Sequence, residues 1–72
     1  MSNFHERLKE IRILRKVTQK QVADGIEVTE TQYQNYEYGK HKPAYDIIIK
    51  LANFFKVSAD YLLGLSDNPT RK

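Results

Sequence analysis

The sequence contains no cysteine and no tryptophan, and only three glycines and two prolines among its 72 residues. Without cysteine there is no disulfide framework, no thiolate metal site and no cysteine nucleophile. Long apolar runs are missing as well. Ile47-Ile48-Ile49 is far too short for a membrane span or the core of a signal peptide. The opening Met1-Ser2-Asn3-Phe4 has no basic stretch leading into an apolar one, so a cytoplasmic address is the expectation. The two histidines, His5 and His41, do not stand at metal-ligand spacing from other ligands. Gly25, Gly39 and Gly64 are isolated, so no glycine-rich loop is available to cradle a phosphate. These absences argue against an enzyme and against any cofactor or metal.

What is present suits one small soluble domain. Forty per cent of the residues are hydrophobic and 29% are charged, and a chain this short buries only about 60% of its unfolded surface. The net charge of +3 is unevenly placed. Arg7, Lys9, Arg12, Arg15, Lys16 and Lys20 outnumber Glu6 and Glu10 in residues 1–22. Residues 23–38 carry Asp24, Glu27, Glu30 and Glu37 and no base. Lys40, Lys42, Lys50 and Lys56 then stand against Asp46 alone in residues 39–56.

Apolar residues recur at helical spacing nearly throughout, which predicts an all-α fold of five helices. Phe4, Leu8, Ile11 and Leu14 or Arg15 mark the first helix. Asn3 with Glu6, Thr18 with Gln21 and Thr29 with Gln32 read as capping boxes opening the first, second and third. Val22, Ala23 and Ile26 form the stripe of the second. Gly39 is placed to end the third in the left-handed conformation, and Lys40-His41-Lys42-Pro43 follows as a basic loop. Tyr45, Ile48, Leu51, Ala52 and Phe55 give a strongly amphipathic fourth helix. Ser58 caps a short last helix with Tyr61, Leu62 and Leu63, which Gly64 ends.

The second and third helices, about residues 18–26 and 29–38, are short, capped and joined by about three residues, the layout of a helix-turn-helix. On a helical wheel with Tyr33 toward the core, Thr29, Tyr36 and Glu37 share its side. Thr31, Gln34, Asn35 and Tyr38 form the opposite stripe, flanked by Glu30 and Gln32. That outward face consists of hydroxyl, amide and phenol groups. Amides can pair with adenine edges, hydroxyls are versatile, and a carboxylate can accept from cytosine.

The runs Arg7-Leu8-Lys9-Glu10-Ile11-Arg12, Thr18-Gln19, Val22-Ala23, Val28-Thr29, Tyr36-Glu37-Tyr38-Gly39-Lys40, Lys42-Pro43, Leu51-Ala52 and Asp60-Tyr61-Leu62-Leu63-Gly64 together resemble the phage-repressor/Cro-like (Xre) helix-turn-helix regulators, over about residues 4–65. The resemblance implies a compact five-helix repressor-like domain over residues 1–66, with the motif at about 18–38 and a flexible tail at 67–72. It implies sequence-specific binding of double-stranded DNA at a palindromic operator, with the third helix in the major groove. Carried onto this chain, Gln19 is the expected phosphate contact and support of the recognition helix. Glu30, Thr31, Gln34, Asn35 and Tyr38 are the expected reading face, and Lys40 and Lys42 the phosphate-gripping loop. Arg12 and Glu37 are the expected ion pair tying the first helix to the third.

The chain departs from the family pattern at Lys16 and Glu27, where glycine is usual and left-handed backbone is expected, and at Ala44, where a capping Ser or Asp is usual. The third helix also lacks any Lys or Arg. A homodimer is expected through the Tyr61–Leu65 end, with Ile13 and Leu14 as a second candidate surface. The alternative is a helical protein–protein interaction module that keeps the fold without binding DNA. RNA recognition is a weaker fit, because its usual stacking platforms are aromatics on a sheet face.

Overall fold

A computed structural model of the chain describes residues 3–66 and residue 68. Five helices follow one another: α1 (Phe4–Leu14), α2 (Gln19–Gly25), α3 (Glu30–Glu37), α4 (Tyr45–Phe55) and α5 (Ala59–Leu62). No strand is present among the described residues. The expected tail at 67–72 lies, apart from Asn68, outside them.

Each helix start has a local cause. Asn3, Thr18, Thr29 and Ser58 sit in extended backbone and accept the N–H three residues on through their side chains. Of the three expected capping boxes only that of Thr18 closes in both directions, with the Gln21 side chain accepting the Thr18 N–H at 2.8 Å. Gln32 instead donates to the Tyr36 hydroxyl at 2.9 Å, so the box at Thr29 is half made. Ala44 supplies no side-chain cap to α4. Asp46 in the first turn of α4 is the remaining favourable feature there, acting on the helix dipole.

Helix ends repeat one device. After α1, α2, α3 and α5 the chain turns left-handed at Lys16, Glu27, Gly39 and Gly64. At each, the next residue's N–H reaches back to a carbonyl of the last turn: Val17 to Arg12, Val28 to Ala23, Lys40 to Asn35 and Leu65 to Asp60. Lys16 at φ 59° and Glu27 at φ 64° do this without the freedom of glycine. Lys56, after α4, is a third non-glycine residue in that region, at φ 56°, and nothing in the sequence pattern marks it.

The core gathers one stripe from each helix. Leu8 and Ile11 of α1, Val22 and Ala23 of α2, Tyr33 and Tyr36 of α3, Leu51, Ala52 and Phe55 of α4, and Leu62 of α5 are buried together with Ile26 and Val57. Each large side chain so buried contributes about 1.5–3 kcal/mol. Three expected stripe positions lie outside the core, among them Ile48, which is half-buried. Leu14, the last residue of α1, is 70% exposed, although Ile11 and Arg12 of the same turn are packed. Tyr45 is 76% exposed, and Ile47, two residues later, packs against the core instead. His5, expected on the outer part of α1, lies against the turn after α3, where a Cβ on Gly39 would be 3.0 Å from its Nδ1. Also on α1, Arg7 is buried with its guanidinium 4.4 Å from the centre of the Tyr61 ring, joining α1 to α5.

Candidate nucleic-acid interface

The placement of α3 follows from its two faces. Tyr33 and Tyr36 are buried in the core and Glu37 is buried beside them. The opposite side therefore faces outward. Glu30, Thr31, Gln32 and Tyr38 are exposed there, and Gln34 and Asn35 are half-buried. The turn from α2 to α3 is short because the Val28 N–H closes back onto α2 and Thr29 already caps α3. These closures hold the two helices in one fixed arrangement.

A chain of hydrogen bonds runs beneath the outward face. Arg12 of α1 donates from Nε to Glu37 Oε2 at 2.8 Å and from Nη2 to Oε1 at 3.0 Å, a two-pronged contact that fixes both planes. Its Nη1 donates to the Val17 carbonyl at 3.1 Å, tying the α1–α2 turn to the same guanidinium. Gln19, at the start of α2, donates to Glu37 Oε1 at 3.3 Å and accepts from Gln34 Nε2 at 3.1 Å. Three helices thus converge on one carboxylate. Burial works to raise the Glu37 pKa, but the bonds from Arg12, the nearby Tyr33 hydroxyl, the Arg12 charge and the bond from Gln19 outweigh it and hold it below the ordinary value. Tyr33 is buried alongside with its hydroxyl in the field of Glu37 yet without a hydrogen bond of good geometry, and burial first, then that carboxylate, pushes its phenol far above the usual range.

The basic loop continues from α3. The Asn35 carbonyl accepts from the Lys40 N–H at 2.9 Å and the His41 N–H at 3.3 Å, so the same residue helps form the outward face and shape the loop. Lys40, His41 and Lys42 are exposed. The expected residues therefore fall into a face (Glu30, Thr31, Gln34, Asn35, Tyr38), a support (Gln19, Glu37, Arg12) and a loop (Lys40, Lys42). The Gln19–Gln34 bond gives Gln19, expected from the family resemblance to support α3, the partner that sequence reasoning did not name. It joins residues fifteen apart and has no signature beyond two glutamines facing each other across the turn.

The helix-turn-helix domain model matches residues 5–67. The chain belongs to the helix-turn-helix domain family. YobD, an uncharacterized HTH-type transcriptional regulator of Bacillus subtilis, is 39% identical over 69 residues, covering 96% of this chain and 62% of the relative. The cryptic phage CTXphi transcriptional repressor RstR of Vibrio cholerae is 33% identical over 64 residues, covering 89% of this chain and 58% of that protein. This helix-turn-helix chain thus spans less than two thirds of the length of either. Among solved structures, the P22 c2 repressor in complex with a synthetic operator superposes with a TM-score of 0.85 at 21% identity, over 92% of this chain and all of that one. A transcriptional regulator from Listeria innocua superposes with a TM-score of 0.81 at 29% identity, over 86% of this chain and 58% of that one. The fold is that of the phage-repressor DNA-binding domains, as the helix-turn-helix layout of the sequence implies.

Proposed function

We propose that this helix-turn-helix module is a transcriptional regulator that binds double-stranded DNA sequence-specifically and acts as a repressor by occupying an operator. The observation that carries the reading is the division of labour around α3. Its exposed side offers hydroxyl, amide, phenol and carboxylate groups, while the positive charge sits on the frame at Lys40, Lys42 and the basic first segment. In this reading α3 enters the major groove, Glu30, Thr31, Gln34, Asn35 and Tyr38 meet base edges or the adjoining backbone, and Gln19, Lys40 and Lys42 meet phosphate. The relatives named as regulators and the similar fold of an operator-bound repressor support it.

So few phosphate contacts per domain favour two copies on a palindrome with half-sites about one helical turn apart. The Tyr61–Leu65 end supplies the dimer surface, since Leu63 is exposed and Leu65 is 75% exposed there. Ile13 and Leu14, both exposed at the end of α1, are the second apolar surface. These patches also favour the rival reading, a module that binds protein alone.

Selection of bound duplexes from a random pool at two salt concentrations separates the two. A DNA regulator enriches a palindromic motif and loses affinity steeply with salt. Enrichment of nothing, with salt-insensitive protein capture, refutes the DNA reading.

A further inference from the structure

The basic loop after α3 is tied to the protein only at its root. Beyond the bonds that the Lys40 and His41 N–H groups give to the Asn35 carbonyl, Lys40, His41 and Lys42 make no hydrogen bond or ion pair among the described residues. The direction in which the loop leaves is therefore set at Gly39, in left-handed backbone at φ 79°. Glycine by itself does not fix a direction, because it tolerates a wide range of backbone angles. A limit has to come from outside the turn.

His5 supplies it. A Cβ on Gly39 would lie 3.0 Å from the His5 Nδ1 and 3.1 Å from both Cγ and Cε1, the two atoms bonded to that nitrogen. Near-equal distances to an atom and to both its neighbours place that point over the face of the imidazole. An edge-on approach would leave the outer two atoms clearly farther away. The contact is thus steric and uses neither ring nitrogen. His5 and Arg12 are seven residues apart, about two turns of α1, and so lie on one side of it. α1 holds the end of α3 at both places: Arg12 grips Glu37 through a directional ion pair, and His5 meets the turn with a flat ring.

We infer that His5 is a positioning residue for DNA affinity. Its ring is the platform that keeps the Gly39 turn from settling toward α1, and so holds Lys40 and Lys42 out toward the phosphate backbone. It acts through the two lysines and leaves the choice of bases, made on the exposed side of α3, untouched. The inference rests on the DNA-binding reading above.

Affinity of the 72-residue chain for random and selected duplexes at several salt concentrations tests it, with thermal melting alongside. His5→Ala should weaken binding to both by about threefold to tenfold and flatten the salt slope, with the selected motif unchanged. His5→Phe restores a flat ring without the nitrogens and should bring affinity back to within about twofold of wild type. Combined with Lys40→Ala and Lys42→Ala, His5→Ala should change affinity by less than about twofold, because the groups it positions are gone. Wild-type affinity and salt slope in His5→Ala, no rescue by His5→Phe, or an undiminished His5 effect without the lysines overturns the inference while leaving DNA binding intact. Gly39→Ala gives a readout that needs no DNA. It should lower the melting temperature more when His5 is present than together with His5→Ala, and equal losses overturn the platform. A wild-type chain with no salt-dependent affinity for any duplex overturns the DNA reading and this inference with it.

Discussion

The ring of Phe54 occupies the space that a side chain on Gly25 would need. Gly25 is the last residue of α2 and does not have a positive φ, so its requirement is closeness rather than conformational freedom. Gly25→Ala should lower stability by about 1–3 kcal/mol through overpacking, despite the better helix propensity of alanine. Chemical denaturation measures this, and pairing it with Phe54→Leu should recover part of the loss. A stabilised Gly25→Ala protein would show that α2 and α4 can separate at little cost.

Lys16 and Glu27 hold left-handed backbone that costs a non-glycine residue about 1–2 kcal/mol. Lys16→Gly and Glu27→Gly should each therefore stabilise the fold by about 0.5–1 kcal/mol, net of the greater unfolded-chain entropy of glycine. The Glu27 contact with Lys50 is exposed and spans 3.8 Å, so removing it costs little. Lys20→Gly, inside α2, is the control and should lose about 1 kcal/mol. Denaturant midpoints of the three variants decide the matter.

Arg12→Ala leaves Glu37 buried without its cation and should cost about 3 kcal/mol at neutral pH, far more than Lys9→Ala on the exposed side of α1. The pH dependence has a definite sign. In the wild type the Glu37 pKa is lowered on folding, so its contribution is present above the ordinary carboxylate range and is lost as pH falls through the folded value. Without Arg12, burial dominates and raises that pKa, so acidification should relieve the variant. The stability gap between the two proteins should therefore narrow as pH falls from neutrality into the carboxylate range, about pH 4. A constant gap would mean that Glu37 is not the partner at issue.

Lys40→Ala with Lys42→Ala should weaken binding to every duplex and reduce the salt slope by about 0.9 for each phosphate that is no longer neutralised. Affinity titrations on random and selected DNA at several salt concentrations measure both quantities. Unchanged affinity for random DNA would remove the loop from the interface.

Thr31→Ala should instead alter sequence preference at one or two base pairs by about 1–3 kcal/mol, with melting temperature and salt slope unchanged. Repeating the duplex selection with the variant tests this, and an identical motif would place Thr31 away from the bases.

The helix starts were legible because Asn3, Thr18, Thr29 and Ser58 act on amides only three residues away. The two faces of α3 were legible for the same reason: periodicity is a local property. What escaped depends on how helices distant in sequence meet. Leu14 and Tyr45 fit the apolar patterns of their helices and are nevertheless exposed, while Ile11 and Ile47 nearby are packed. His5 against Gly39 and Phe54 over Gly25 are contacts across the packed bundle. Resemblance to known regulators supplied the Arg12–Glu37 pairing and a supporting role for Gln19, but not Gln34 as the residue that Gln19 bonds.

The residues that hold α3 in the core, Tyr33, Tyr36 and Glu37, are different from the exposed Glu30, Thr31 and Tyr38 on its other side. Substitutions at those three exposed positions leave the hydrophobic interior and the lysines of the following loop untouched. In the proposed DNA-binding reading, new operator preferences are therefore accessible by single steps at nearly constant stability and nearly constant affinity for the DNA backbone. In that reading a module built this way can diversify its targets within a lineage faster than its architecture changes, with Gln34, tied to Gln19 by a hydrogen bond, the slowest of its proposed contact positions to drift.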